Sequence, residues 1–449
     1  MSFTSINISE KPSPVSFWQA FLFWFKLGWI SFGGPAGQIA VMHTELVERR
    51  RWISEKRFLH ALNYCMVLPG PEAQQLAIYI GWLLHKTKGG IIAGVLFVFP
   101  SLFILIVLSW VYIALGEAPI VAGMFYGIKP VVAVIVAQAA HRIGSRALKN
   151  AYLSSIAGAS FMAIFFFNLP FPFVVLVAAF IGFLGGRYKA DKFHLGGGHS
   201  KANQSYGAAL IDDDSPRLEH TLFSLTRLLK ILLVGALLWL IPMGYLYATY
   251  GWGHAFTQMA WFFTKAAFLT FGGAYAVLPY VYQGAVNYYG WLTPTQMIDG
   301  LALGETTPGP LIMVVAFVGF VGAYVQALFG PEHLFIAGTL AAILVTWFTF
   351  LPSFIFIFAG SPLVESTHDD LKFTAPLTAV TAAVVGVIVN LALFFAYYVW
   401  WPKGFEGNID SIAVAIAIFA SVALFKFKRN VIEVIFSSAV IGLIYQLIR

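Results

Sequence analysis

Residues 26–35, KLGWISFGGP, and residues 265–274, KAAFLTFGGA, read as two copies of one segment. Sliding the chain by 239 positions extends the match without a gap from Lys26–Pro71 to Lys265–Pro310. Lys26 falls on Lys265, Phe32 on Phe271, and Gly33-Gly34 on Gly272-Gly273. Trp52 falls on Trp291, Leu62 on Leu301, and Pro69-Gly70-Pro71 on Pro308-Gly309-Pro310; Ser31 opposite Thr270 keeps a hydroxyl. Most of these identities are Gly, Pro, Trp and Lys, which shared hydrophobicity alone does not align. Further on, with gaps, Pro100-Ser101 matches Pro352-Ser353, and Lys129-Pro130 roughly matches Ala375-Pro376. The chain is a duplication, and its fold must be built from two related halves.

Composition says what kind of halves. Only 10% of the 449 residues are charged and 59% are hydrophobic, with mean hydropathy +0.80. Soluble proteins carry about a quarter charged residues. Apolar runs recur at 17–42, 59–84, 91–115, 120–141, 152–168, 171–186, 231–249, 256–282, 297–328, 334–360, 374–399, 409–425 and 431–448. Many reach the roughly 20 residues one helical crossing needs, far more than the alternating strand of about 10 residues in a barrel. The expectation is an all-α polytopic membrane protein embedded in a lipid bilayer. Its parts are a tail (1–16), a first repeat (17–186), a linker (187–230) and a second repeat with its preceding helix (231–449).

The net charge of +7 is not gathered into one basic domain, so no nucleic-acid partner is implied. The lone Cys65 excludes an internal disulfide. The first apolar run carries Lys26 and lacks a small-residue cleavage site, so no cleavable signal peptide is visible. Arg187–Arg227, with Gly196-Gly197-Gly198 and Asp212-Asp213-Asp214, reads as an exposed linker. His194 and His199 flank its glycines and read as solvated, so neither metal nor cofactor is expected.

Loop charge gives orientation. The loop His43–Arg57 holds Arg49-Arg50-Arg51, Lys56 and Arg57, whereas its counterpart Tyr282–Gln296 holds no Lys or Arg. Basic loops stay cytoplasmic, so the halves face opposite ways, as inverted repeats do. Counting every apolar run as one crossing puts Lys86/Lys88, Arg142/Arg146/Lys149 and the linker outside. Letting 17–42, 59–84 and 256–282 fold back at the FGG or PGP segments brings these clusters, and Lys426/Lys428/Arg429, inside. Broken or re-entrant helices are therefore favoured, with kinked crossings as the alternative.

The breaks also locate the chemistry. Proline removes a donor and glycine permits unusual dihedrals. Freed backbone groups within a membrane are tolerated where they line a cavity, and paired breaks in two halves point to a transporter site. Candidate substrate ligands are Ser31, Gly33, Gly34, Pro69, Gly70, Pro71, Gln74 and Gln75, with Thr270, Gly272, Gly273, Pro308, Gly309 and Pro310. The alternative is packing kinks. Lys26 and Lys265 precede the two FGG breaks, and two cations with helix N-termini suit an oxyanion; the alternative is snorkelling to the interface. Glu72 and Glu305 flank the PGP segments. A carboxylate out of water holds its proton to higher pH, so either is a proton-coupling candidate, or a partner for the lysines. His60 and Asp299 align across the repeat and are weaker proton-path candidates. His141 reads as a loop residue.

No Walker A loop, H-E-x-x-H or G-x-S-x-G is present, which leaves an ion gradient to drive transport and no visible enzyme chemistry. At Phe25-Lys26-Leu27-Gly28, Ser31 to Pro35, Glu48 to Trp52, Leu68 to Ala77, Gly81-Trp82, Thr270 to Gly273 and Thr307 to Pro310, the chain resembles the chromate ion transporter family in its long two-half form. The resemblance covers nearly the whole chain except the linker. It implies chromate efflux across the bacterial cytoplasmic (inner) membrane, driven by the proton motive force, with sulfate as a chemical analogue and a basic residue at the position of Lys26. Sulfate import or exchange, and an anion channel or non-transporting receptor, are the alternatives. A homodimer is left open.

Overall fold

The computed structural model describes residues 11–32, 34–116, 118–193, 206–212, 218–366 and 374–448. The expectations for Gly33, His194, His199, Gly196 to Gly198, Asp213-Asp214 and most of the tail fall on residues outside these. The first half runs through α1 (Phe17–Ile30), α2 (Gly34–His43), a π turn (Thr44–Arg49), α3 (Glu55–Val67), α4 (Glu72–Leu115), α5 (Pro119–Ala147), α6 (Ala151–Phe165), α7 (Phe171–Tyr188) and a short α8 (Ala190–Phe193). An additional helix, α9 (Leu225–Tyr250), leads into the second half. That half has α10 (Ala255–Leu269), α11 (Ala274–Tyr282), a π turn (Gln283–Tyr288), α12 (Pro294–Thr306), α13 (Val314–Val325), α14 (Leu334–Ser366), α15 (Thr374–Trp400), α16 (Ser411–Ser421) and α17 (Val431–Ile448).

The duplication survives in backbone detail. Both π turns fall at the same offset, and after them the N–H of Trp52 donates to the Leu46 carbonyl at 2.8 Å and that of Trp291 to the Ala285 carbonyl at 2.8 Å. Arg51 and Gly290 share a left-handed φ of 52° and 61°. Ser54 and Thr293 then cap the next helix, each accepting from the N–H three residues on.

The pieces around the FGG and PGP segments are too short to cross. α1, α3, α10 and α12 have 14, 13, 15 and 13 residues, about 20 Å against a hydrocarbon core of about 30 Å. They fold back instead. Past FGG the chain returns alongside α1: the Arg50 guanidinium lies 5.0 Å from the Phe23 ring centroid, and the Trp52 ring 5.0 Å from it. The second half repeats this with Tyr289 and Trp291 at 5.7 and 5.6 Å from Phe262. α4 breaks at His85 (φ −138°) and Lys86 (φ 56°), and its first segment returns from PGP to where His85 Nε2 meets the Val15 carbonyl at 2.9 Å. Each half therefore carries two hairpins with FGG and PGP at their tips.

The hairpins enter from opposite faces. Val15, Arg50 and His85 mark one face, the basic one. The long second segment of α4 runs from there to Tyr112, which donates to Asp299 of α12 at 2.8 Å on the opposite face. α9 crosses likewise, from the turn where His220 meets the Trp82 carbonyl at 3.0 Å to Tyr250, stacked on His254. The second half's hairpins begin at that far end, where Phe256 meets Phe329 at 5.3 Å. Among the described residues, seven helices (α4, α5, α7, α9, α14, α15 and α17) are long and apolar enough to cross a membrane. This is a multi-pass membrane protein of two inverted repeats.

The halves also trade helices. α5 packs on α16 and α17, and α15 packs on α6 and α7. Small residues allow the closest approach: a Cβ on Gly127 of α5 would stand 1.9 Å from the Ser438 carbonyl of α17. These six helices form a bundle, and the hairpins, the long segment of α4, α9 and α14 form a second block. The linker departs from expectation at 206–212. Leu210 and Ile211 donate to the Arg51 and Trp52 carbonyls at 2.9 and 3.1 Å, and Ile211 is buried in the first half's core. That stretch is docked, because its apolar side chain and backbone both find partners there.

Candidate functional site

The hairpin tips cross, and they do so reciprocally. The Gly70 N–H of the first PGP donates to the Thr270 carbonyl before the second FGG at 2.7 Å. The Gly309 N–H of the second PGP donates to the Ser31 carbonyl before the first FGG at 2.8 Å. Ser31 and Thr270 are buried, and their hydroxyls donate back to Leu27 and Ala266 carbonyls at 2.6 and 2.7 Å. Gly70 (φ 131°) and Gly309 (φ 98°) hold backbones open only to glycine without strain. A Cβ on Gly70 would lie 2.6 Å from Ser353 Oγ, and one on Gly309 2.8 Å from Ser101 Cβ, so the matched serines of α14 and α4 close the crossing from either side.

Around it lies an excess of polar atoms. Gln38 donates to the Gly309 carbonyl, and Gln75 Nε2 to Pro69 O at 2.8 Å and Ser353 Oγ at 3.4 Å. The Oε1 atoms of Gln38 and Gln75, both amide atoms of Gln74, and Ser101 Oγ are buried with no partner among the described residues. Leaving such groups dry and unpaired costs about 1–3 kcal/mol each, so the crossing has hydrogen-bonding capacity that a polar guest could meet. α2 starts at Gly34, α4 follows Pro71, α11 follows Gly273 and the turn at Leu311 follows Pro310, so four helix or turn N-termini sit at the tips. Their free N–H groups favour anions. The space beside Gly34 (φ 70°) is open, and Gly273 (φ 96°) has Pro35 Cγ as its nearest neighbour at 4.0 Å, so the two FGG tips face each other. Gly272 looks toward Thr381 of α15 at 3.7 Å.

The charged residues are distributed otherwise than the sequence suggests. Lys26 is exposed on the face of α1 that also shows Leu22, Phe25, Trp29 and Ile30. Lys265 is half-buried with its ammonium 5.7 Å from the Trp261 ring. Both stand off the buried stripe that carries Ser31 and Thr270, and neither pairs with a carboxylate among the described residues. Glu305 accepts instead from the Tyr275 hydroxyl, and the Arg142 guanidinium lies 5.8 Å from the Tyr275 ring. Glu72 is half-buried with no hydrogen bond or ion pair among the described residues. His60 and Asp299 occupy matching stations between the halves: His60 Nε2 lies 3.3 Å from the Val364 carbonyl, while Asp299 takes Tyr112 and pairs with Lys129 at 3.4 Å. Arg57 and Glu365 add a second inter-half ion pair at 2.7 Å. His141 is exposed against Phe425. No group of His, Cys, Asp and Glu among the described residues has a metal-binding arrangement.

Sequence reasoning missed Gln38, Tyr275 and Arg142. Gln38 and Tyr275 carried a signal, as polar side chains within a turn of an FGG break. Arg142 did not, because its charge served equally well as a topology marker.

The two crossings differ in packing. All nine residues of α11 are buried, and it packs on α15 while α12 packs on α5. In α2, the equivalent of α11, only Gln38 and Met42 are buried. The second half's hairpins are docked on the bundle, and the first half's FGG hairpin stands off it toward the basic face.

Comparison with known proteins agrees with this architecture. The "Chromate transporter" family profile matches residues 18–183 and 257–443, one copy in each half. A chromate transport protein of Pseudomonas aeruginosa is 30% identical over 445 residues, covering 98% of this chain and 95% of the relative. One from Cupriavidus metallidurans is 27% identical, covering 95% and 92%. An uncharacterised transporter of Bacillus subtilis is 31% identical over 164 residues, only 36% of this chain but 92% of its own length, so a single half also exists as a separate protein. No solved structure matches. With both halves matched and a near full-length relative at this identity, the chain belongs to the chromate transporter family.

Proposed function

We propose that the protein is a secondary active transporter that exports chromate, or a closely similar oxyanion, across the bacterial cytoplasmic membrane at the expense of the proton gradient. The reciprocal crossing of the PGP and FGG tips carries this reading. It offers helix N-termini, unpaired amides and a free hydroxyl at one place, a donor-rich setting suited to a tetrahedral dianion. By the positive-inside rule the face with Arg50, Lys86 and Arg146 is cytoplasmic. The undocked α2 then leaves the tips approachable from the cytoplasm, the side on which an exporter loads.

Glu305, tied to Tyr275 beside Arg142, is the proposed proton carrier. Protonation would release Tyr275 and free Arg142 for the anion. Lys26 and Lys265 are proposed to draw the anion electrostatically, with Lys265 the more effective. Because the repeats share a six-helix bundle, access switches by hairpins docking on that bundle; rocking one whole repeat against the other would tear both exchanged interfaces. Inverted symmetry supplies the second state, in which α2 docks and α11 releases.

The test is chromate flux into inside-out proteoliposomes with and without an imposed proton gradient. Gradient-stimulated uptake, lost in Glu305→Gln, is expected; gradient-independent flux would overturn the coupling, and tighter competition by sulfate than by chromate would reassign the substrate.

A further inference from the structure

Away from the tips, an apolar groove of about 600 Å³ runs between α9, the long segment of α4 and α14. It exists because α9 has no counterpart in the duplication. α9 packs mainly on α14 and α10, with Trp347 Nε1 donating to the Leu238 carbonyl at 3.1 Å, and leaves a channel against α4 unfilled. Its walls, among them Val95, Phe99, Val234 and Phe354, are almost wholly apolar. Val95, Phe99 and Val234 are exposed at 47%, 49% and 53%, so the groove opens sideways to the bilayer.

One end is different. At the basic face the groove is bounded by Arg227 and Lys230, one turn apart on α9. Arg227 is braced by its Nη1, which donates to the His220 carbonyl and, at 3.2 Å, to that of Leu222. Neither cation pairs with a carboxylate among the described residues, and Glu219, on the preceding turn, is exposed and also unpaired. Lys86, exposed at the kink of α4, adds positive charge near His220.

A soluble anion would use the cations and waste the apolar trough. An uncharged hydrocarbon would fill the trough and leave two cations unanswered. We propose that this groove binds an anionic phospholipid, with acyl chain along Val95, Phe99 and Phe354 and phosphate on Arg227 and Lys230. Basic pockets between membrane helices on the cytoplasmic side recognise headgroups in this way. The lipid seals α9 to α4, the contact that the protein alone leaves open.

Native mass spectrometry of the full chain in neutral detergent tests this, titrating phosphatidylglycerol against phosphatidylcholine of the same chain length. Wild type is expected to hold phosphatidylglycerol about thirty-fold more tightly. R227Q/K230Q together should bring the ratio to within about threefold, and V95W, which fills the trough, should remove both lipids. Equal retention of the two lipids by wild type overturns the proposal. So does full selectivity in R227Q/K230Q, or unchanged binding in V95W. Should the variants fold poorly, wild type alone decides: the preference must fall as salt rises, and a salt-independent preference refutes the phosphate contact.

Discussion

α2 and α11 occupy the same place in two copies of one segment, and they are packed oppositely. Each follows an FGG tip, each ends in a π turn, and the tryptophans after those turns, Trp52 and Trp291, make the same 2.8 Å backbone hydrogen bond. Yet α11 is buried throughout and α2 is buried only at Gln38 and Met42. Duplication has preserved backbone geometry while leaving docking free to differ. Two causes compete. α11 carries Tyr275, Tyr280 and Tyr282 where α2 carries Ala36, Val41 and His43, so sequence alone could favour its docking. An inverted pair that alternates must also, in any one state, have one hairpin docked and the other released.

The crossing itself is the symmetric part of the comparison, and breaking it should have the largest effect. Gly70→Val and Gly309→Val each force a side chain onto a left-handed backbone, about 1–2 kcal/mol, and into Ser353 or Ser101, about 1–3 kcal/mol more. Both variants should lose chromate flux in proteoliposomes and unfold at lower temperature, to similar extents. A harmless Gly309→Val beside a crippling Gly70→Val would break the reciprocity. The carboxylates come next, and they are asymmetric. Glu305 is engaged by Tyr275 whereas Glu72 has no partner among the described residues, so Glu305→Gln should abolish gradient-driven flux and Glu72→Gln should reduce it only in part. The reverse order of flux loss would move proton coupling to the first half.

The halves, the breaks and the inversion were legible in the sequence because each rests on local or additive signals. A gapless offset, Pro and Gly in apolar runs, and arginines in loops need no tertiary information. The re-entrant reading was legible for the same reason, since only folding back brings Lys86 and Arg146 to one face. Side-chain direction was not. Lys26 and Lys265 match across the repeat, but which face of α1 or α10 they occupy depends on where the buried stripe falls. That stripe holds the buried Trp24, Leu27 and Gly28 of a helix that packs on α4, Gly28 lying against Leu96, and Lys26 falls outside it. Nor was the exchange of α7 and α17 between halves visible, because it depends on contacts such as Gly127 with Ser438 that are distant in sequence.

Accessibility separates the two causes of the packing difference. In a Cys65→Ala background, Ile39→Cys on α2 should react with a water-soluble maleimide from the basic face roughly tenfold or more faster than its equivalent Leu278→Cys, which is fully buried, since opening a docked helix costs at least a kcal/mol or so. If the difference is a state, an imposed proton gradient or saturating chromate narrows or reverses the ratio. If it is sequence, the ratio stays fixed. Equal labelling at the outset would remove the comparison altogether.

The smallest effect belongs to the lysines. Lys26 is exposed among large apolar side chains and Lys265 is half-buried against Trp261, so their fields reach the crossing through different surroundings. An exposed charge is screened and its removal costs little, about 1 kcal/mol at most, whereas a partly desolvated one acts over a longer range. Lys265→Ala should therefore raise the KM for chromate several-fold, and Lys26→Ala should leave it within about twofold at moderate salt. Loss of equal size in both variants would place Lys26 near the anion at some stage of the cycle. That stage would be the one in which α2 is docked, because docking turns the first hairpin, and α1 with it, toward the arrangement the second half already has.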